Sequence, residues 1–419
     1  MEENQVKIPE GWIEKEIGKI IFERKKSGLK VSDASNHGRF PFFTSGEQIL
    51  WHTEKIVDGE NIFLATGGVA NVKYYDGETA YSTDTYAIYT DEQTHTKYLY
   101  FELLNINYYI NANYFQGSGL KHLQKKDFKN HILKIPKSTT EQHQIATILS
   151  KVDKAITQTQ QLIAKYQRIK TGLMQDLLTK GIDESGNIRS EETHEFKDST
   201  LGRIPVEWEA DSLGNIIGRG NGIIQTGPFG SQLHANEYVL EGIPVIMPQD
   251  IKTENIDDSQ IARISDEKTL KLKRHIVKEN DILFARRGDL NKCNSITKEF
   301  EGAICGTGCL LIRPNNSKLN SNWLVVIYKH HSIQKEIDIT AVGSTMKNLN
   351  TTILSNLFIP RIPIDEQDLI MDKLTNCVNT VVANQNQLKK LNSIKTGLMQ
   401  DLLSGKVRVN HLIKETESV

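Results

Sequence analysis

The sequence is poor in cysteine. Its four, Cys293, Cys305, Cys309 and Cys377, all lie in the second half, at spacings that match neither a disulfide framework nor a CxxC pair. A reducing cytosol is the natural compartment for such a chain. A zinc site would use tighter pairs, so Cys305 and Cys309 read as part of a buried strand, and no metal is expected. Long apolar runs are missing too: nothing approaches the roughly 18 consecutive apolar residues of a membrane span, and the opening MEENQVKIPEGW has none of the apolar core of a secretory leader. A cytoplasmic protein without a membrane partner is expected. Only 10 of 419 residues are proline and no tract is biased, while 38% are hydrophobic and 25% charged, a composition that reads as an ordered globular protein and not as a disordered chain. Charge of one sign is not in excess either: 51 Lys and Arg face 52 Asp and Glu. That excludes a histone-like coat for nucleic acid but not a local basic face, which is enough to track phosphates.

Catalytic signatures are also absent. An adenine methyltransferase holds its target amino group with an Asn/Asp-Pro-Pro-aromatic tetrapeptide, and none occurs. There is no GxxxxGK[ST] phosphate loop. GRGNG at Gly218 to Gly222 and GPFG at Gly227 to Gly230 lack the GxGxxG spacing and read as loops. Asp281 and Asp289 lie near Arg286 without the accompanying motif of a nuclease, and His330-His331 reads as a helix end rather than a ligand pair. No catalysis is expected of the chain itself.

What the sequence does contain is a repeat. IKTGLMQDLL occurs at Ile169–Leu178 and again, letter for letter, at Ile394–Leu403; upstream, Glu141-Gln142 recurs as Glu366-Gln367. The openings of the two halves correspond as well, IPEGWIEKEIG from Ile8 beside IPVEWEADSLG from Ile204, and GSGLKHL from Gly117 matches GSTMKNL from Gly343. Between these borders the letters mostly disagree. The repeated segments read as helices, because Ile145, Leu149, Val152, Ile156, Thr159, Ile163 and Tyr166 step by four and three, as do Ile370, Leu374, Cys377, Val381, Asn384, Leu388 and Leu391. That is the 3.5-residue period of a coiled-coil seam. A helix of this length spans roughly 57 Å, and a single apolar stripe needs a partner, the nearest being the duplicate. Thr159 and Asn384 are the polar seam positions; they either fix the register of an antiparallel pair or are merely tolerated there.

The interiors, 40–130 and 215–360, show short apolar runs broken by Gly-bearing turns, which suggest strands. Residues 181–203 are polar and acidic and read as an exposed connector. The fold class expected is α+β: two mixed α/β domains, each followed by a long helix, the two helices pairing as an antiparallel coiled coil with pseudo-twofold symmetry.

Two variable domains bordered by duplicated IP-x-x-W openings, GS-x-x-K-x-L approaches and EQ…IKTGLMQDLL helices resemble the specificity subunit of type I restriction-modification systems over nearly the whole chain. The resemblance implies a first target-recognition domain over 1–140, a spacer helix over 141–180, the connector 181–203, a second recognition domain over 204–365, a spacer helix over 366–403 and a tail over 404–419. It implies a non-catalytic subunit that reads a bipartite site in double-stranded DNA, one half per domain. It further implies partners: two modification (methyltransferase) subunits that bind S-adenosylmethionine, and restriction (endonuclease and translocase) subunits that use ATP and Mg. The other readings are a coiled-coil adaptor without a DNA role, and a standalone methyltransferase or nuclease.

Candidate DNA contacts are the Gly-bearing loops that follow an apolar strand in each half, Thr66, Gly67 and Gly68 in the first and Arg286 and Arg287 in the second. Small or basic residues there suit close approach to phosphates and base edges. Lys121 and Lys347 join them because they sit equivalently in GS-x-x-K, and Lys73 and Arg274 are further candidates. Arg274 belongs to a basic run with Lys268, Lys271, Lys273, His275 and Lys278 that is equally a solvated face. Phe42, Phe43 and Trp51 read as core rather than base-stacking residues.

Overall fold

The computed structural model describes residues 8–219, 221–252, 255–314, 319–341 and 347–413. It divides into two compact units: unit 1 gathers Met1–Ile163 with Ala383–Val419, and unit 2 is Ala164–Val382. No helix among the described residues is long and apolar enough to cross a membrane.

In unit 1 the segment ENIFLA forms the strand Glu60–Ala65 and occupies an inner place in a four-stranded antiparallel sheet, ordered Ile21–Glu23, Thr85–Thr90, Glu60–Ala65, Val72–Asp76. Its near-continuous apolar run follows from burial on both faces. Ile62 and Leu64 join Tyr86 and Ile88 against the helix Thr96–Asn105. On the opposite face Phe63 stacks on Phe43 with ring centroids 4.3 Å apart and packs with Tyr81. Phe43 belongs to a second sheet, Leu50–His52, Phe40–Phe43, Ala80–Tyr81, whose last pair is parallel. Phe42 and Phe43 are therefore core, as expected; Trp51, on the outer strand Leu50–His52, is instead half exposed.

Unit 2 repeats this plan although the letters differ. Ile223–Thr226, Cys309–Arg313, Ile282–Ala285 and Cys293–Ser295 form a four-stranded antiparallel sheet in that order. A second sheet runs Tyr238–Val239, Ala262–Ile264, Ile243–Ile246, Ile304–Cys305, again with its last pair parallel. The same alternation holds: Ile282, Phe284, Leu310 and Ile312 face one cluster, Leu283, Leu311, Cys305 and Cys309 the other. Burial pushes the thiols of Cys305 and Cys309 well up, so both behave as small apolar groups on strands. Each unit also closes its chain ends in a two-stranded pair, Trp12–Glu16 with Ile132–Pro136 and Glu209–Ser212 with Phe358–Arg361.

The repeated segments are helices, Thr139–Thr179 and Ile364–Leu402. In unit 1 the start of the first lies on the end of the second, running oppositely: Ile145 and Leu149 share a cluster with Leu402 and Leu403, and the Nζ of Lys395 pairs with Asp153 at 2.6 Å. In unit 2 the halves exchange roles, Leu177 and Leu178 packing with Ile370 and Leu374. All fourteen seam positions are buried or half-buried in an otherwise largely exposed surface. Thr159 is buried with its hydroxyl donating to the Ala155 carbonyl at 2.8 Å, and Asn384 is half-buried.

The EQ pairs at the helix starts explain why the borders repeat. Gln142 accepts from the His95 amide, at the N-terminus of Thr96–Asn105, at 2.8 Å and donates to the Pro136 carbonyl at 2.9 Å. Gln367 does the same with the Asn320 amide, at the N-terminus of Ser321–Tyr328, and the Ile362 carbonyl, at 2.8 and 3.0 Å. The glutamates meet arginines that follow the long helices. Glu141 takes two bonds from Arg408, Nε at 2.6 Å and Nη2 at 2.8 Å. Glu366 accepts from Arg189 Nη1 at 2.5 Å, from the Ile182 amide at 2.9 Å and from the indole N–H of Trp208 at 3.2 Å. Trp12 and Trp208 are the tryptophans of the two IP-x-x-W openings, both buried against these latches. The helix-ending turns need glycine: Gly181 has φ +66°, and a Cβ there would lie 2.2 Å from Glu366 Oε1, while Gly405 has φ +70° with Trp12 at 2.9 Å. The connector is accordingly not exposed throughout, since Gly181, Ile182 and Arg189 are buried.

One buried acid makes unit 1 sensitive to pH. Glu102, on Thr96–Asn105, accepts a bond from the hydroxyl of Tyr98, and burial raises its pKa from 4.5 to about 8. With the folded value above the unfolded one, the chain takes up a proton on folding between about pH 4.5 and 8, so stability is full below that window and is lost as pH rises through it. Glu102→Gln should remove this slope, a change on the order of 4 kcal/mol between pH 5 and pH 9. Amide hydrogen exchange in Thr96–Asn105 at both pH values measures it, and an unaltered slope would place the proton elsewhere.

Candidate nucleic-acid interface

In each unit two inner-sheet strands run alike on either side of a third, so the loops that follow them leave the same sheet edge. In unit 1, Thr85–Thr90 lies between Ile21–Glu23 and Glu60–Ala65 and is antiparallel to both. The loop after Glu60–Ala65 carries Thr66, Gly67 and Gly68. The Thr66 hydroxyl donates to the Asp84 carbonyl at 2.7 Å, its carbonyl accepts from the Leu123 amide at 3.0 Å, and the Gly68 amide donates to the Lys121 carbonyl at 2.9 Å. Gly67 pairs with His122 as an antiparallel bridge. The two signals of the sequence, TGG and GSGLK, are thus stitched into one surface.

Unit 2 builds the same surface from other residues. The Leu349 amide donates to the Arg286 carbonyl at 2.9 Å, Arg287 bridges Asn348, and the Arg286 amide donates to Gly308 at 2.9 Å, as the Thr66 amide does to Asp84. Gly68 and Gly288 occupy matching turn positions with φ +85° and +78°, where a side chain would be strained. The Nε of Arg286 is held by Asn348 Oδ1 at 3.1 Å, whereas Arg287 is exposed. Lys347 is exposed and paired to Asp338 at 2.5 Å; the rest of GSTMKNL up to Met346 lies outside the described residues.

Two candidates stand apart from this surface's exposed charge. Lys73 is half-buried and spends its ammonium on the carbonyls of Thr44, at 3.0 Å, and Gly46, and burial lowers its pKa. It lines a cavity of about 670 Å³ together with Gly67, Gly68 and Asn107, and fastens the neighbouring 44–46 loop. Arg274 is exposed, with its carbonyl bonded to Gln225 on the edge strand at 2.7 Å, two strands from Arg286. The run around it is not one basic face: Lys268 pairs with Glu237 and Lys271 with Glu267 at 2.5 and 2.7 Å, and His275 is buried, its pKa lowered by that burial. Asp281, buried, pairs with Arg313 at 2.5 Å, which accounts for that acid structurally. Among the described residues no group of three or more His, Cys, Asp or Glu could hold a metal ion.

The residues missed from sequence are Arg189 and Arg408, whose partners lie far along the chain, and the loop after Ile21–Glu23 with Lys25 and Lys26. The RKKS run was visible, but nothing in the letters showed that it leaves the same sheet edge as TGG.

The family description "Type I restriction modification DNA specificity domain" matches residues 9–167 and 205–393. The chain is 24% identical over 423 residues to the specificity subunit of the type I restriction enzyme MjaVIII of Methanocaldococcus jannaschii, covering 97% of this chain and 95% of that one. It is 29% identical over 317 residues to the putative type I restriction enzyme MjaX specificity subunit of the same organism, covering 74% and 66%. The crystal structure of the type I restriction-modification S subunit from M. genitalium superposes with TM-score 0.62 at 15% identity, covering 96% and 97%, a likeness of fold.

Proposed function

The chain belongs to the family of type I restriction-modification DNA specificity subunits, and from that premise we propose that it reads a bipartite DNA sequence, one half-site per unit, and docks the subunits that do the chemistry. The observation that carries this reading is the duplicated sheet edge. Two units of one topology hold a positive-φ glycine loop and a lysine-bearing segment in the same relation, yet fill that frame with TGG and KHL in one and RRG and KNL in the other. A common frame with different contact residues is what reading two different half-sites requires, since phosphate contacts position a protein while base edges specify the sequence. Small residues let the backbone of the first loop come near base edges; Arg287 in the second can offer a bidentate fork to guanine.

The long helices supply the docking platform for two methyltransferase subunits with S-adenosylmethionine, and restriction subunits with ATP and Mg complete the system. The chain supplies binding and orientation only. Purified alone it should neither methylate nor cut a duplex. Assembled with its methyltransferase subunits it should methylate adenine within one asymmetric sequence and protect two short half-sites separated by unspecified base pairs, read by methylation mapping and footprinting. Methylation or cleavage by the isolated chain would establish a standalone enzyme instead, and absence of sequence-specific protection in the complex would leave only an adaptor.

A further inference from the structure

The loop that follows the edge strand of the inner sheet is topologically the same in both units. In unit 1 it is Arg24–Leu29, entered by a bond from the Arg24 amide to the Ala87 carbonyl at 2.9 Å; in unit 2 it begins at Gly227, whose amide donates to the Cys309 carbonyl at 2.9 Å. Its chemistry is exchanged with that of the glycine loop two strands away. Unit 2 has Pro228 and Phe229 here and puts its cations, Arg286 and Arg287, in the glycine loop, whereas unit 1 has an uncharged TGG there and places Lys25 and Lys26 here.

The unit 1 loop is built to hold these lysines out. The Lys25 carbonyl accepts from the buried Tyr81 hydroxyl at 2.6 Å, the Leu29 amide donates to Ser27 Oγ at 3.0 Å, and the Thr83 amide donates to the Leu29 carbonyl at 2.7 Å. Arg24 is half-buried and already engaged, stacked 4.0 Å over the Tyr89 ring with its Nε on Asn61 Oδ1 at 2.7 Å. Lys19, Lys55 and Lys129 of the same unit are matched to Glu16, Glu78 and Glu23, but Lys25 and Lys26 are exposed and have no ion-pair partner among the described residues. Lys125 lies 4.1 Å over the Tyr86 ring, where burial first and then Lys129 and Lys26 lower its pKa while Glu23 opposes them.

We propose that Lys25 and Lys26 form the phosphate-anchoring site of unit 1, for a double-stranded DNA whose base edges face the TGG loop. This rests on the DNA-recognition reading above. The spacing fits: the two loops leave the sheet two strands apart, about 10 Å, against a major groove about 12 Å wide. The lysines therefore meet the groove wall while the glycine loop faces its floor.

The test uses the full-length chain assembled with its methyltransferase subunits, measuring affinity for its methylated target sequence and for an unrelated duplex across a salt series. K25A/K26A should weaken both about tenfold to thirtyfold near 150 mM salt, flatten the salt slope by roughly two, and leave the methylated sequence unchanged; K25R/K26R should restore the slope. Unchanged affinity and slope beside a wild type that binds its target would overturn the site and spare the DNA reading, and an altered recognition sequence would make the lysines base readers, which also overturns it. A wild-type complex that binds no duplex removes the reading itself and this site with it.

Discussion

Glu366→Ala should destabilise unit 2 by about 3–5 kcal/mol, the cost of stranding a buried charge. The carboxylate is the common acceptor for the Arg189 guanidinium, the Trp208 indole and the Ile182 amide, and its removal leaves all three without that partner inside the protein. Arg189 would keep only the Lys180 carbonyl at 3.4 Å and the exposed Glu207 at 3.9 Å, and with its side chain 8% exposed water compensates little. The matching change in unit 1, Glu141→Ala, should cost less: the carboxylate is as deeply buried, but Arg408 is 29% exposed and keeps a bond to the Glu10 carbonyl. The order of the two effects is decided by the exposure of the arginine, not by the strength of the ion pair. Urea unfolding followed by hydrogen exchange, resolved by unit, measures both. Replacing Glu366 and Arg189 together by Leu and Met should recover most of the loss, since apolar residues of similar volume often match a buried pair. Equal losses in the two units, or none from Glu366→Ala, would show that the latch does not bear on stability as its burial indicates.

These latches also explain what could be read in the letters and what could not. Trp12, Glu141, Gln142 and their counterparts repeat because they touch one another or the same strand ends, so a self-comparison detects them without knowing the contacts. The helices were legible for a different reason: a seam of period 3.5 is a local pattern carried by every turn. The domain interiors gave only strands and turns. That the two share a strand order is invisible in sequence, because Phe63 against Phe43 and Leu283 against Cys305 satisfy the same burial with different side chains. The candidate site was half legible. TGG and ARRG announce themselves by glycine after an apolar strand, and GS-x-x-K by its repetition. Lys73 looked like any surface cation until the Thr44 and Gly46 carbonyls appeared beside it, a contact set by strand pairing and not by spacing.

The loops of unit 2 give the second large effect. R286A/R287A should lower affinity for the target sequence by about 2–6 kcal/mol, roughly thirtyfold to twenty-thousandfold, if each arginine contributes the 1–3 kcal/mol of a good contact to a base or its phosphate. The two should not contribute alike. Arg286 is half-buried and tied to Asn348, so Arg286→Ala also loosens the bridge that holds Lys347 and Leu349 against the loop. Arg287 has no such duty, and Arg287→Ala tests recognition with the frame intact. Its signature should be relaxed specificity at one half-site, visible in methylation mapping as tolerance of a single base position, while the half-site read by unit 1 stays strict. That outcome separates a base reader from a phosphate anchor: an anchor lost from unit 2 would weaken every duplex alike and flatten the salt slope by about one. If Arg287→Ala relaxes neither half-site and leaves affinity unchanged, the glycine loop of unit 2 is not where this chain meets DNA, and its match with TGG in unit 1 is one of backbone geometry alone.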